Sequence, residues 1–237
     1  MVYKWLFVDH FCLLCGQLTD DRRDFCVPCE TELPWLRRAC QRCALPLPTE
    51  GLVCGRCLKR PPAFEQVIAP WRYAFPVDAL ITRFKHQRQW PLGRLLGELL
   101  GQHLYHAFDH GLPRPDWLLP VPLSRARQRR RGFNQAQWLA DWLAGPLQLP
   151  LATDWLLRTR DTPAQQTLDA AARRRNLRQA FALSQRAPDL RGRHLALVDD
   201  VLTTGATADA LARLLRKAGA ARVDVYCLAR TPAPGDP

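Results

Sequence analysis

The sequence predicts an α/β protein: a parallel sheet flanked by helices, preceded by a small module organised around metal. Two observations carry this. Near the carboxyl end, "HLALVDDVLTTGATADALARLLRKAGAARVDVYCLA" (194–229) reads as strand, polar loop, amphipathic helix and strand. At the amino end, eight of the nine cysteines fall within the first 57 residues, in pairs. That pattern points to metal rather than to disulfides.

A length of 237 residues allows one full domain and a small one. The apolar fraction, 47%, is ordinary for a soluble chain. No apolar run approaches the ~18 residues of a membrane span. The start, "MVYKWLFVDHFC", has neither a basic n-region nor a small-residue cleavage site. The expectation is a soluble cytoplasmic protein. Net charge is +12, from 34 basic and 22 acidic residues, and only Lys4, Lys59, Lys85 and Lys217 are lysine. Arginine reads phosphate as a bidentate fork, so this balance fits a phosphorylated ligand or nucleic acid without separating them.

The pairs Cys12/Cys15, Cys26/Cys29, Cys40/Cys43 and Cys54/Cys57 form two C-x2-C-x10-C-x2-C units, the second repeating the first 28 residues on. Two knuckles supply four thiolates to one tetrahedral ion, and the ten-residue spacer suits a small hairpin, so each unit reads as a short zinc ribbon. The alternatives are a reduced flexible tail or an iron–sulfur cluster, and two matching units favour two zinc ions. A shell of four sulfurs leaves no open position, so these zincs are structural. Eight thiolates and two zinc ions lower the net charge from +12 to about +8. Spacing leaves open whether each unit binds its own ion or the pairs cross-brace. Cys227, inside the apolar "VDVYCLA", reads as a buried small hydrophobe.

"LKRPPAFEQ" marks a boundary near Pro62, dividing a double zinc ribbon (1–61) from the larger domain (62–230) and a disordered tail, "TPAPGDP" (231–237). "VIAPWRY" (67–73) reads as a strand that Pro70 confines to an edge. "PVDALITRFKHQ" places Val77, Leu80, Ile81 and Phe84 on one helical face, and "LGRLLGELLGQHLYHAF" continues that periodicity. "DWLLPVPL" (116–123) is a strand closed by prolines, and "NQAQWLADWLA" returns to helix.

In the terminal unit, "LALV" (195–198) is a buried strand. Leu211, Leu214, Leu215 and Ala218 make the amphipathic helix, which Gly219 stops. The loop between them lies at the carboxyl end of a parallel strand, where open α/β sheets bind ligands. The helix after Thr207 offers unpaired amides and the positive end of its dipole. Gly205 permits close approach of a phosphate, and Thr203, Thr204 and Thr207 add hydroxyl donors. Neither a dinucleotide fingerprint nor a Walker loop is present. Asp199 and Asp200 suit sugar hydroxyls or a hard cation rather than phosphate. Together these groups describe a site for ribose 5-phosphate. A bare helix cap with incidental acids does not explain the whole pattern. A signalling receiver would need a later phosphoacceptor strand, for which the 37 residues after Asp200 are too few.

"LALVDDVLTTGAT" resembles the phosphoribosyl diphosphate (PRPP) signature of type I phosphoribosyltransferases. The cysteine knuckles, "YAFPVDALITRFKHQ", "LLPVPLSRARQRRRGFNQAQWLA" and "TPAQQTLDAAARRRNLRQAF" resemble the ComF branch, the ComFC/GntX-like proteins. The resemblance covers nearly the whole chain. It implies a type I phosphoribosyltransferase-like sheet behind a zinc-ribbon module, Mg2+ accompanying PRPP, and a link to DNA uptake in natural transformation. By that resemblance Asp199 and Asp200 hold the ribose hydroxyls, and Thr203, Thr204, Gly205, Ala206 and Thr207 hold the 5-phosphate. Arg125, Arg131 and Asn134 are candidates for the diphosphate, against a solvated loop for any single arginine. Lys85 joins them because lysine is so rare here, which makes Asp199, Asp200, Lys85 and Arg131 the candidate catalytic set. Gln165 with Arg173, Arg174 and Arg175 suggests a hood over the site.

Two functions stay open. One is a Mg2+-dependent phosphoribosyltransferase, whose basic side chains would stabilise departing diphosphate and for which no acceptor motif is legible. The other is an adaptor that binds single-stranded DNA and DNA-uptake proteins, its PRPP-type site sensing a nucleotide or vestigial. Trp35 with Arg37 and Arg38, Trp71 with Arg72, and Trp90 after Arg88 would supply stacking beside charge. Core packing is the competing reading for each tryptophan, and the favoured one for Trp138 and Trp142.

Overall fold

A computed structural model of the protein describes residues 10–19, 24–159 and 180–233. Gln165, Arg173, Arg174 and Arg175, the expected hood, lie outside the described residues, as do the last four residues of the tail. Two one-turn helices come first, α1 (Val27–Thr31) and α2 (Gly55–Lys59), each starting directly after the third cysteine of its unit. Antiparallel bridges pair Phe11 with Leu18 and Ala39 with Pro46. The hairpin therefore wraps the first knuckle instead of forming within the spacer alone. Gly16 and Ala44, 28 positions apart, both take a positive φ, so the sequence repeat is a repeat of backbone conformation too.

The sheet and its helices follow. The predicted strand across 67–73 is divided at Pro70 into β1 (Val67–Ile68) and β2 (Trp71–Arg72). After them come α3 (Val77–Gln87), α4 (Trp90–Asp109), β3 (Trp117–Pro120), α5 (Arg125–Arg131) and α6 (Gln135–Leu147). A small antiparallel pair, β4 (Leu156–Arg158) and β5 (Phe181–Leu183), precedes β6 (His194–Leu202), α7 (Ala206–Lys217) and β7 (Arg222–Arg230). The main sheet is parallel, in the order β1–β7–β6–β3, with β2 also on β7. Pro70 thus sits at the sheet edge, as its missing N–H requires, and its carbonyl accepts from the N–H of Leu36.

Three local expectations are corrected. Strand β6 continues through both aspartates to Leu202, Asp199 lying in register with Cys227, because β7 is long enough to pair that far. Helix α7 begins at Ala206, so Thr207 is already helical. The arginine run, for which a solvated loop was the competing reading, is helix α5, its amino end capped by the Ser124 hydroxyl and its carboxyl end by Gly132 at φ 83°.

Alternation along β6 builds two cores. Leu195 and Leu197 face one way, toward Leu211 and Leu215 of α7. Ala196 and Val198 face the other, toward α3, α4 and α6. A parallel sheet buried on both faces requires this period of two with apolar residues throughout. The second cysteine unit belongs to the α7 side and the first, with Phe25 and Leu33, to the opposite side. Backbone hydrogen bonds from Leu36 to Pro70 and from Arg72 to Pro34, both 2.8 Å, fasten the ribbons to the edge strand.

Trp71 is completely buried and packs on Trp35, so it cannot stack on a base. Trp90 packs against Phe133 and Trp138, and Trp142 against Phe84, so these half-buried indoles pack on the rim of the core. Cys227 is fully buried, as its apolar surroundings predict. Among the described residues, no helix is long and apolar enough to cross a membrane.

Candidate functional site

Strands β3 and β6 are neighbours and parallel, so their carboxyl ends open at the same sheet edge. A cavity of about 180 Å3 lies there, reached from β6 by Asp199 and Asp200, from α7 by Thr207, and from α3 by Lys85. The segment after β3 contributes Arg127 and Arg131 of α5 and Asn134 and Gln135 at the start of α6. Six predicted residues (Lys85, Arg131, Asn134, Asp199, Asp200 and Thr207) therefore share one cavity. Thr203 and Thr204 are exposed beyond it, and Gly205 and Ala206 are half-buried between. Gly205 stands at the α7 N-cap with φ 73°, a conformation that favours glycine, and Thr204 Oγ1 accepts the N–H of Ala206 at 3.3 Å. The side chain of Arg125 lies outside the described residues.

The two acids differ. Asp200 is ion-paired with Lys85, Nζ to Oδ1 2.9 Å, both side chains largely enclosed. Asp199 Oδ1 accepts the Asp200 N–H at 2.9 Å. Burial and then the Asp200 charge push the Asp199 carboxyl up to about 7, against the pull of Lys85 and Arg158. Two crowded carboxylates, one of them short of positive charge, suit a hard divalent cation, so the donor set fits Mg2+. Burial also holds Arg131 below the ordinary arginine range, with Asp200 opposing. Burial, followed by the positive charge of Arg131, Lys85 and Arg130, lowers His86 beside the mouth.

Asn134 is committed to scaffolding. Its Oδ1 caps α6 by accepting from Ala136, and its Nδ2 donates to the carbonyl of Val121 at 3.1 Å. Gln135, absent from the sequence-based set, has its Oε1 bound by Arg131 Nη1 at 2.9 Å and is 1% exposed. Its Nε2 and the Nε of Arg131 are buried donors with no hydrogen-bond partner among the described residues. Such donors cost about 1–3 kcal/mol each unless a ligand or water satisfies them. Arg127 and Arg158 also line the cavity unanticipated. Arg158 sits on β4, a strand of three residues too short to read from its periodicity.

The cysteines gather as Cys12, Cys15, Cys26, Cys29 and as Cys40, Cys43, Cys54, Cys57, the sulfurs of each set within 4.8 Å of one another. Each unit therefore closes on itself, and cross-bracing is excluded. The Cys15–Cys26 and Cys43–Cys54 sulfurs are 3.7 Å apart. A tetrahedron with Zn–S bonds of about 2.3 Å needs edges of roughly 3.8 Å, so zinc fits both. Burial resists ionisation of Cys12 and Cys40, yet backbone N–H groups hold them at about 6 and about 7. Burial, then neighbouring thiols, pushes Cys29 and Cys57 up. Four sulfurs this close ionise together only around a cation.

Comparison with known proteins agrees with both halves. Residues 2–58 match the double zinc ribbon domain and residues 130–237 the phosphoribosyl transferase domain. The chain is 40% identical over 175 residues to the DNA utilization protein YhgH of Escherichia coli O157:H7, covering 73% of this chain and 76% of that protein. It is 39% identical over 174 residues to competence protein F of Haemophilus influenzae, with the same coverage of 73% and 76%. With competence protein ComFC of Bacillus subtilis it shares 35% identity over 115 residues, 48% of this chain and 44% of the other. Among solved structures, adenine phosphoribosyltransferase from Leishmania tarentolae is a distant likeness: TM-score 0.38, 14% identity, 57% of this chain and 70% of that one. Two self-contained cysteine tetrads ahead of a parallel sheet, and close relatives over three quarters of their own length, identify the chain as a member of the ComF (competence protein F) family.

Proposed function

We propose that the cavity binds a phosphorylated ribose of the PRPP type together with Mg2+. The observation that carries this reading is the union, in one cavity, of paired acids with a cluster of cations and two unsatisfied buried donors. In this reading Asp199 and Asp200 face the ribose hydroxyls. Residues 203–207 receive the 5-phosphate on Thr207 and the amide end of α7. Arg127, Arg131 and Gln135 receive the diphosphate, and Lys85, released from Asp200 as the ligand arrives, adds to them. Mg2+ would neutralise the ligand's phosphate oxygens. The names competence protein and DNA utilization protein carried by relatives support a role in DNA uptake. Titration calorimetry with PRPP and Mg2+ tests the site. Wild type gives saturable heats, and joint Asp199→Ala and Asp200→Ala substitution weakens binding by at least about tenfold, 1.4 kcal/mol. Equal heats from both proteins would sink the assignment.

A second reading, binding of single-stranded DNA, is favoured by the exposed Arg129 and Arg130 of α5 beside the cavity. Its stacking platform is weakened by the burial of Trp71. Affinity for a single strand should fall steeply as salt rises, with a log–log slope near −0.7 for each phosphate neutralised. Binding indifferent to ionic strength would remove this reading.

A further inference from the structure

We propose that Arg230 couples the second cysteine tetrad to the phosphate loop, so that the metal held by Cys40, Cys43, Cys54 and Cys57 helps fix residues 203–207. The functional meaning rests on reading that loop as a phosphate cradle; the mechanical link itself does not. Arg230 is the last residue of β7 and is 3% exposed. Its Nε donates to the carbonyl of Cys43, a tetrad residue, at 2.8 Å. Its Nη1 donates to the carbonyls of Leu202 at 3.2 Å and Thr203 at 2.6 Å, and to Thr231. One planar guanidinium thus spans from the tetrad to the first residue of the loop.

Charge supplies the second argument. The partners of Arg230 among the described residues are carbonyl and hydroxyl oxygens. A buried cation held only by neutral dipoles is costly, by several kcal/mol in general, unless a counter-charge lies near. Four thiolates around one zinc ion carry a net charge of −2, and Cys43 brings that charge against the guanidinium. The loaded tetrad is therefore the counter-ion of Arg230, and Arg230 keeps its fork on Thr203 while that charge persists.

Further contacts run the same way. The Ala63 N–H donates to Asp209 Oδ1 in the first turn of α7 at 2.8 Å. A Cβ on Gly205 would lie 3.9 Å from Phe64 Cζ. Both residues follow directly on the second unit. The first tetrad packs on the opposite side of the sheet, so the coupling belongs to one zinc of the two.

Arg230 is on this account a positioning residue, and charge and fork geometry can be separated. In Arg230→Met, a chromophoric chelator should extract one of the two zinc ions at least about tenfold faster, and amides 203–207 should lose hydrogen-exchange protection. Arg230→Lys keeps the charge but cannot span both carbonyls, so it should restore zinc retention while the loop stays loosened. Packing alone would instead favour the methionine. Linkage adds a third readout: PRPP with Mg2+ should slow release of that same zinc in wild type and not in Arg230→Met. If the methionine variant fails to fold, wild type stripped of one zinc decides the matter. A loop then exchanging no faster than in the loaded protein overturns the proposal, as does a methionine variant matching wild type in both readouts. Should wild type give no heat with PRPP while its loop still responds to zinc loss, the ligand reading falls and the coupling stands.

Discussion

Asp199 concentrates the chemistry of the site in one carboxyl. Burial near the end of β6, and then the charge of Asp200, raise it from 3.8 to about 7. A raised carboxyl binds its proton more tightly in the folded state, so its contribution to stability is whole below pH 3.8 and is lost as pH climbs through about 7. Asp199→Asn escapes that loss. Its melting temperature relative to wild type should rise steadily from pH 5 to pH 8, and parallel curves would contradict the assignment. The same ionisation should make PRPP–Mg2+ binding by wild type weaken on acidification through pH 7. Asp199, Asp200 and Thr207 were legible because a strand, two acids and a glycine-bearing loop stand together in sequence. Gln135 was not, since its importance lies in a donor left without a partner, which spacing does not report. Asn134 was read for a ligand role; in the structure its Oδ1 caps α6 and its Nδ2 holds the Val121 carbonyl just after β3.

Among the elements, those with strong apolar periodicity were read well: α3, α4, α6 and α7 all bury the face their sequence marks. Helix α5 was missed because its run of arginines has no apolar face, although Ser124 before it and Gly132 after it are ordinary cap signals. β4 and β5, three residues each, carry too little pattern to be read alone. The close approach of α3 and α4 yields a test. A Cβ on Gly93 would lie 2.4 Å from the Phe84 ring, so Gly93→Ala forces α4 away from α3, the helix that carries Lys85. A destabilisation of about 1–3 kcal/mol, read by denaturant titration, is expected. An unchanged midpoint would mean that this packing yields more easily than its distances imply.

Across the whole molecule, two metal-organised units grip a sheet on its two sides, each through its own tetrad. Metal analysis should find two zinc ions per chain. Stripping both should lower the melting temperature and alter the emission of Trp35, whose indole N–H donates to the Glu30 carbonyl at the end of α1. A protein that keeps its melting curve without metal would refute a structural role for zinc. The 28-residue repeat made the tetrads legible, but a repeat cannot reveal which surface each copy will cover.

The antiparallel bridge from Trp35 to Trp71 has a consequence for solubility. An outermost ribbon of parallel strands normally invites addition of a stranger's backbone. Here that vacancy is taken by the chain's own cysteine module, arriving in the opposite direction. The module thus shields that edge from a stranger's strand, on the opposite side of the sheet from β3, whose carboxyl end opens on the cavity.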